Sequence, residues 1–379
     1  MRQFQVLRYV RRATIGAALA ALSVGLTIVP ATASTPSDLG ATSAPRFLGE
    51  DILPTGLMFE GTEVGGLSGL TYDAVRDVYY AISDDRSQID PARFYTLRID
   101  LADGSLDDED VSVVGVTTLR DARGRAFAPS SLDPESIALT EERTLVITSE
   151  GDASLLIDPF VREFALSGRQ LANLPVPGYY DPAPDGTSGV RTNLGFESGG
   201  FTPDGDYFFT GTENALAQDG PTATLTTTSP SRLLRFDSAG RLDREFVYVV
   251  EPVQEAPTPS DAFATNGLVD LLPLTPIRLI AMERSFSVGA GNDVRLYFVD
   301  TARATNVRGR AALPADLSAL RTVDKFLLFD LDALGITLDN LEGLTFGPRL
   351  PDGSQSVLIV SDNNFSPTQF TQFLAFTIG

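Results

Sequence analysis

The chain has 379 residues, 43% of them hydrophobic, enough for one large β domain or two small ones with a real core. Fifty acidic residues against 29 basic ones give a formal charge of −21, which argues against nucleic acid as a partner, because phosphates require a basic face. There is no His and no Cys. That excludes Ser-His-Asp, Cys-His and phosphohistidine chemistry, and leaves carboxylate, amide and backbone oxygens with Arg for anions.

Residues 1–33 read as a signal peptide. Arg2, Arg8, Arg11 and Arg12 form a positive start, an apolar run follows to Val29, and Ala31-Thr32-Ala33 fits a small-x-small cleavage site. Arg11-Arg12 leaves twin-arginine export open beside the general route, and an uncleaved anchor is the other alternative. Residues 34–45 are Ser-, Thr-, Pro- and Ala-rich and read as a flexible lead-in. Nothing later in the chain reads as a membrane helix. The expected location is therefore secreted or periplasmic, with no stable membrane insertion once the leader is cleaved.

From residue 46 to residue 379 the chain reads as one domain of repeated units. A first strand is expected from Arg46 to Pro54. The clearest unit is a hairpin: Asp133-Pro134-Glu135-Ser136-Ile137 runs in, Thr140 to Arg143 turns, and Leu145-Val146-Ile147-Thr148-Ser149-Glu150 returns. Glu135 and Glu150 are equidistant from the turn, so they are expected to face each other at its open end. Glu197 and Glu213 repeat this about Gly205, and Glu342 and Asp362 about Asp352. Weaker copies run from Gly66-Leu67-Ser68 to Ser83-Asp84-Asp85-Arg86, and from Asn266-Gly267-Leu268 to Met282-Glu283-Arg284. The second-strand acids Asp84, Glu150, Glu213, Glu283 and Asp362 recur at spacings of 66, 63, 70 and 79 residues.

Each hairpin is followed by two further strand-like runs, except the last, which has one. The N-terminal strand supplies the missing piece. The expected fold is all-β: a β-propeller of five four-stranded blades, its ring closed by strands from both chain ends. Residues 311–340 leave a sixth, irregular blade open, or a short helix near Leu317. Units of this length exceed the roughly 40–50 residues of common blades, so long loops must decorate one face.

If the hairpins are the inner strands, their open ends meet at one mouth. Glu135, Glu150, Glu213, Glu283, Glu342, Asp362 and Asp84 are the candidate metal ligands, with amide oxygens from Asn193, Asn214, Asn266, Asn363 and Asn364. So many carboxylates cannot all ionise at close range without a cation or arginines. Oxygen-only donors favour Ca²⁺ over Mg²⁺, and both over softer metals. Glu197 or Glu150 is the candidate base, Glu135 a further catalytic acid, and Arg86, Arg191 and Arg284 are candidate clamps for an anion. Equivalent acids also fit a purely structural role.

The motifs Gly66-Leu67-Ser68-Gly69-Leu70, Asp133-Pro134-Glu135-Ser136-Ile137, Asn193-Leu194-Gly195-Phe196-Glu197-Ser198, Ala281-Met282-Glu283-Arg284-Ser285, Asn340-Leu341-Glu342-Gly343-Leu344 and Val360-Ser361-Asp362-Asn363-Asn364-Phe365, in this order, resemble the bacterial "esterase-like activity of phytase" (phytase-like) family over nearly all of residues 47–378. The resemblance implies phosphoester hydrolysis carried by acidic residues, with Glu135, Glu150, Glu197, Glu213, Glu283, Glu342 and Asp362 at the family's acidic positions. Gly199-Gly200 departs from the bulkier pair expected after Glu197-Ser198, which should loosen the inner strand. The expected function is thus an exported phosphoester hydrolase, monomeric, acting on a small phosphorylated substrate with a divalent metal. A non-catalytic propeller binding a cation-bridged phosphorylated or sugar ligand is the alternative, and a carboxylate-pair glycosidase is a third possibility.

Overall fold

The computed structural model describes residues 45–378, so the expected signal peptide and most of the lead-in lie outside the described residues. Twenty-two strands are present, and two short 3-10 turns are the only helical pieces among these residues. Twenty of the strands form five four-stranded antiparallel sheets, four of them simple meanders and the fifth completed by the N-terminal strand.

Blade one is β4 (Leu67–Asp73), β5 (Val78–Ser83), β6 (Arg93–Ile99) and β7 (Val111–Thr118). Blade two is β8 (Pro134–Leu139), β9 (Thr144–Ser149), β10 (Phe160–Ala165) and β11 (Gln170–Leu174). Blade three is β12 (Phe196–Phe201), β13 (Tyr207–Thr212), β14 (Ser229–Asp237) and β15 (Leu242–Val250). Blade four is β16 (Ala264–Thr275), β17 (Arg278–Ser287), β18 (Gly291–Asp300) and β19 (Asp324–Asp330). Blade five is β20 (Asn340–Arg349), β21 (Gln355–Asp362), β22 (Thr371–Ile378) and, from the other chain end, β1 (Arg46–Leu53). The strand β1 pairs antiparallel with β22, Phe47 opposite Phe376, and this closes the ring as expected. A small hairpin absent from the sequence reading, β2 (Met58–Phe59) with β3 (Thr62–Glu63), sits between β1 and blade one.

The innermost strands β4, β8, β12, β16 and β20 touch one another in cyclic order, which defines a five-bladed propeller. The sixth-blade alternative is overturned. Residues 301–323 form a connection with one 3-10 turn (Leu317–Ala319), and β19 is the outer strand of blade four.

The core lies between neighbouring blades. Strands buried on both faces read as near-continuous apolar runs, which is why Val78–Ser83 and Val357–Val360 show little alternation. Between blades five and one, Leu67, Tyr79, Ala81, Tyr95 and Leu97 pack on Leu358, Val360, Phe373 and Ala375. Each Leu, Val or Phe among them contributes about 1.5–3 kcal/mol on burial. Towards the axis the packing turns polar and close. Ser136 Oγ lies 2.8 Å from Thr148 Oγ1, and a Cβ added at Gly199 would sit 2.2 Å from Ser136 Oγ. Gly199 is therefore what lets blades two and three approach, so the expectation that this glycine pair loosens the inner strand is corrected.

Candidate functional site: an acidic mouth built on five bulges

All five inner strands share one irregularity. The register of the inner pair slips between Leu67 and Gly69, Pro134 and Ile137, Phe196 and Ser198, Leu268 and Asp270, and Leu341 and Gly343. A residue left over by such a bulge leaves the ladder, and its side chain is re-aimed. The bulge residues are Ser68, Glu135 (with Ser136), Glu197, Val269 and Glu342. Three of the five are glutamates, and all three line a cavity of about 310 Å³ at the mouth, with Asp84, Arg86, Arg284 and Asp362.

The bulges also offset the predicted mirror pairing. Glu150 N–H donates to the Asp133 carbonyl (3.0 Å), not to Glu135, and Glu213 N–H donates to the Gly195 carbonyl (2.7 Å). Asp84 N–H donates to the Gly66 carbonyl (2.8 Å), and Arg284 and Asp362 face Gly267 and Asn340. The strand-end ring is therefore Asp84, Glu150, Glu213, Arg284 and Asp362. Blade four contributes a guanidinium where the other blades contribute acids.

Glu283 was expected in that ring and is not there. It stands opposite Leu268, the position held by Ser83, Ser149, Thr212 and Ser361 elsewhere, so it points one residue out of phase. Its carboxylate accepts from Tyr248 Oη (2.7 Å), Lys325 Nζ (2.6 Å), Glu251 N (3.1 Å) and Asn266 Nδ2 (3.1 Å). Lys325 in turn lies over the Tyr297 ring at 4.2 Å. This is a buried ion pair that ties the outer strands of blades three and four to β17.

Arg191 is also elsewhere, donating to the carbonyls of Ala215 and Gly220. Of the expected amides, Asn214, Asn266 and Asn363 are engaged in loop and backbone hydrogen bonds, whereas Asn193 and Asn364 line the mouth.

Within the ring, Arg284 Nη2 lies 2.8 Å from Glu342 Oε1 and 3.9 Å from Glu213 Oε1. A Cβ at Gly267 would meet Glu213 Oε1 at 2.1 Å, so the glycine leaves room for that carboxylate. On the other side Arg86 Nη2 lies 2.5 Å from Asp133 Oδ2 and bonds Asn193 Oδ1 at 2.6 Å. Asn340 Nδ2 donates to Glu342 (2.9 Å) and Asp362 (3.3 Å), and Gly195 N–H donates to Glu150 Oε1 (2.7 Å).

Two triads have carboxylate oxygens within 4.8 Å of one another: Asp133, Glu135 and Glu150, and Glu150, Glu197 and Glu213. Glu150 is common to both. Asp133 joins the site although its motif suggested only Glu135. A second unexpected acid, Asp270, lies on the inner strand of blade four and accepts from Gly199 N (3.2 Å), Leu271 N (2.7 Å) and Leu344 N (2.5 Å). It joins blades three, four and five near the axis.

The charge balance is uneven. Asp133, Glu135, Glu150, Glu197, Glu213, Glu342 and Asp362 are buried and Asp84 is half-buried, against the two guanidinium groups of Arg86 and Arg284. Burial, then repulsion from Glu150, Glu213 and Glu342, pushes Glu197 well above the usual carboxylate range. Burial and then Glu197, Asp133 and Glu150 do the same to Glu135. Burial pushes Glu213 to about 7 against the pull of Arg284, and burial with Glu213 pushes Glu342 to about 7 against the same pull. Asp133 is pushed to about 6, by burial opposed by Arg86. A divalent cation would relieve this repulsion, and the donors are all oxygen, as Ca²⁺ or Mg²⁺ prefers. The acidic clusters fit such an ion.

A second, larger recess of about 860 Å³ adjoins the mouth over blades three to five and shares Arg284, Glu342, Asn193 and Asn364 with it. Its outer wall carries Phe263 and Phe286, whose ring centroids are 6.2 Å apart.

A five-bladed propeller with a carboxylate-rich mouth is the class this fold and site define. The profile of the phytase-like family, described as esterase-like activity of phytase, matches residues 62–365, and the chain belongs to that family. Comparison with curated protein sequences found no match. Among solved structures, the chain is similar to an endo-arabinase from Bacteroides thetaiotaomicron (11% identity, 86% of this chain and 96% of that one, TM-score 0.44). It is also similar to the PQQ-bound aldose sugar dehydrogenase from Streptomyces coelicolor (13%, 89% and 100%, 0.38) and the periplasmic gluconolactonase of Pseudomonas aeruginosa (13%, 80% and 83%, 0.36). Similarity at this level carries no argument about chemistry. Among the described residues no helix is long and apolar enough to cross a membrane.

Proposed function

We propose that the chain is an exported phosphoester hydrolase whose reaction centre is the acidic mouth, with Ca²⁺ favoured over Mg²⁺ as its ion. The observation that carries this reading is the excess of seven buried carboxylates and a half-buried eighth, Asp84, over two arginines around a solvent-open cavity. Such an excess is costly unless a cation shares it, and a cation-filled mouth attracts a phosphoryl group. A bound divalent ion would neutralise phosphoryl oxygens and make a bound water more acidic.

The protein's own groups divide the remaining work. Asp84, Asp133, Glu135, Glu150, Glu213, Glu342 and Asp362 are the candidate ligands. Arg284 and Arg86, on opposite sides of the cavity, orient the phosphoryl oxygens. Glu197 lines the cavity and Glu150 lies beneath it, accepting from Gly195 N, so Glu197 is favoured as the base. Once repulsion from its neighbours is neutralised, Glu197 ionises and takes a proton from the attacking water as its oxygen bonds to phosphorus. The ester P–O bond breaks, the leaving alkoxide takes a proton from solvent to depart as the alcohol, and Glu197 returns its own proton to solvent.

The test is phosphate release from p-nitrophenyl phosphate, bis-p-nitrophenyl phosphate and phytate by the chain without its leader, with Ca²⁺ and after EDTA. Metal-dependent release that Glu197→Gln removes, with the circular dichroism spectrum unchanged, supports the reading. Full activity in Glu197→Gln rejects it. Binding of these compounds without turnover would make the mouth a ligand-capturing site.

A further inference from the structure

A second acidic group lies outside the mouth, on the rim of blade four. Asp293 (start of β18), Asp330 (end of β19) and Asp332 (in the 3-10 turn Leu331–Leu334) offer oxygens within 4.8 Å of one another. Asp293 and Asp332, with Glu255, line a small recess of about 40 Å³.

Two of these acids are already partly used. Arg295 reaches Asp293 Oδ2 and Asp330 Oδ2, both at 3.1 Å, and Asp330 Oδ1 caps the 3-10 turn by accepting from Asp332 N at 3.1 Å. What remains is unusual. Asp293 is only 8% exposed, yet its Oδ1 is buried with no hydrogen-bond partner. The neighbouring Asn292 Oδ1, which also lines the recess, is buried and unpartnered too. A carboxylate oxygen left this way is costly unless a ligand takes it. Four carboxylates facing one guanidinium leave negative charge over, so the missing partner is a cation.

From this geometry we propose a second divalent-cation site, distinct from the mouth, formed by Asp293, Asp332 and Glu255 with Asp330 and the Asn292 amide in support. Oxygen-only donors from three separate segments suit Ca²⁺, which accepts six to eight ligands in flexible arrangements. Burial first, then Asp332, Asp330 and Glu255 against Arg295, pushes Asp293 to about 6, in keeping with an unneutralised acid there.

The site has a mechanical consequence. Glu255 belongs to the loop 251–263, which also carries Phe263 on the wall of the large recess beside the mouth. The loop backbone is fastened at Glu255, whose carbonyl accepts from Ser287 Oγ at 2.6 Å, and at Thr258, whose N–H donates to the Val288 carbonyl at 2.7 Å. Glu251 N–H to Glu283 (3.1 Å) and Gln254 N–H to Ser285 Oγ (3.1 Å) fasten it further, and a cation at the Glu255 carboxylate would add a side-chain link to blade four. A cation bridging Glu255 to Asp293 and Asp332 clamps this wall.

The experiment is calorimetric titration of Ca²⁺ into EDTA-stripped protein, compared with Asp332→Asn, Glu255→Gln and Glu197→Gln. Asp332 is solvent-exposed, so its amide variant keeps the fold. Wild type should show two classes of site. Asp332→Asn and Glu255→Gln should each weaken one class at least tenfold and keep the other, whereas Glu197→Gln should perturb the class they keep. Calcium should also slow proteolysis within 251–263 in wild type and Glu197→Gln, and not in Asp332→Asn. Equal Ca²⁺ stoichiometry and affinity in wild type and both rim variants overturns the rim site and leaves the mouth reading standing. A single class in wild type, weakened by the rim variants and unchanged in Glu197→Gln, overturns the mouth reading and leaves the rim site.

Discussion

Replacing Arg284 with Met should cost stability in a strongly pH-dependent way. The guanidinium is 2.8 Å from Glu342 and 3.9 Å from Glu213, and its side chain is 11% exposed. Removing one partner of a buried pair costs about 3–5 kcal/mol, because it leaves an uncompensated buried charge. That cost exists only while the acids are ionised. Burial already raises Glu213 and Glu342 from 4.5 to about 7 with Arg284 present, and Met removes the group that holds them down. An acid whose folded value is raised keeps its full stability below its unfolded value and loses it as pH rises through the folded one. At pH 5 both acids are protonated in the folded variant, and the loss should shrink to about 1 kcal/mol, the scale of a missing hydrogen bond. At pH 8 it should reach the full 3–5 kcal/mol. The assay is urea unfolding in EDTA at both pH values, with m-values checked for constancy. Equal losses at pH 5 and pH 8 would refute the assignment of Arg284 as counter-ion of the ring.

Wild-type protein in EDTA should itself lose stability between pH 5 and pH 8, since Glu213 and Glu342 are each worth about 3 kcal/mol over their shift; thermal melts should show Ca²⁺ restoring it at pH 8 and doing little at pH 5. Glu283→Gln should destabilise by about 2 kcal/mol through its bonds to Lys325 and Tyr248, yet leave Ca²⁺ stoichiometry and phosphate release unchanged; loss of calcium would return Glu283 to the mouth. Gly199→Ala should cost about 1–3 kcal/mol by overpacking against Ser136, and Ser136→Gly should recover part of that in the double variant. Purely additive losses would show that the two positions do not clash.

The mouth depends on a backbone device as much as on acid side chains. Five bulges at one depth turn the residue after Leu67, Pro134, Phe196, Leu268 and Leu341 out of the sheet ladder. Where that residue is Glu, the carboxylate reaches the cavity; where it is Ser68 or Val269, the blade contributes through its strand end instead. The outcome is lopsided: blades two, three and five bring paired acids, blade one brings Asp84, and blade four brings Arg284. An anion drawn to such a mouth meets a basic side at Arg284 and another at Arg86, with the acids between them.

The repeat period, the strand count and the closing strand at the N-terminus were legible in the chain, because apolar runs and Pro-Asp-Gly turns are local signals. So was the meeting of the strand-end acids, which follows from position within the repeat. The phase of each strand was not legible. A side chain changes face with every residue, so one unpaired residue decides whether Glu283 or its neighbour Arg284 enters the mouth. The bulge that sets this phase is stabilised by contacts from the adjacent blade, such as Ser68 Oγ donating to the Glu135 carbonyl and Gly199 N–H donating to Asp270. The rim site was hidden for a similar reason. Glu255, Asp293 and Asp332 lie in three separate segments, and only the packing of blade four brings Asp293, Asp330 and Asp332 together and places Glu255 on the same recess.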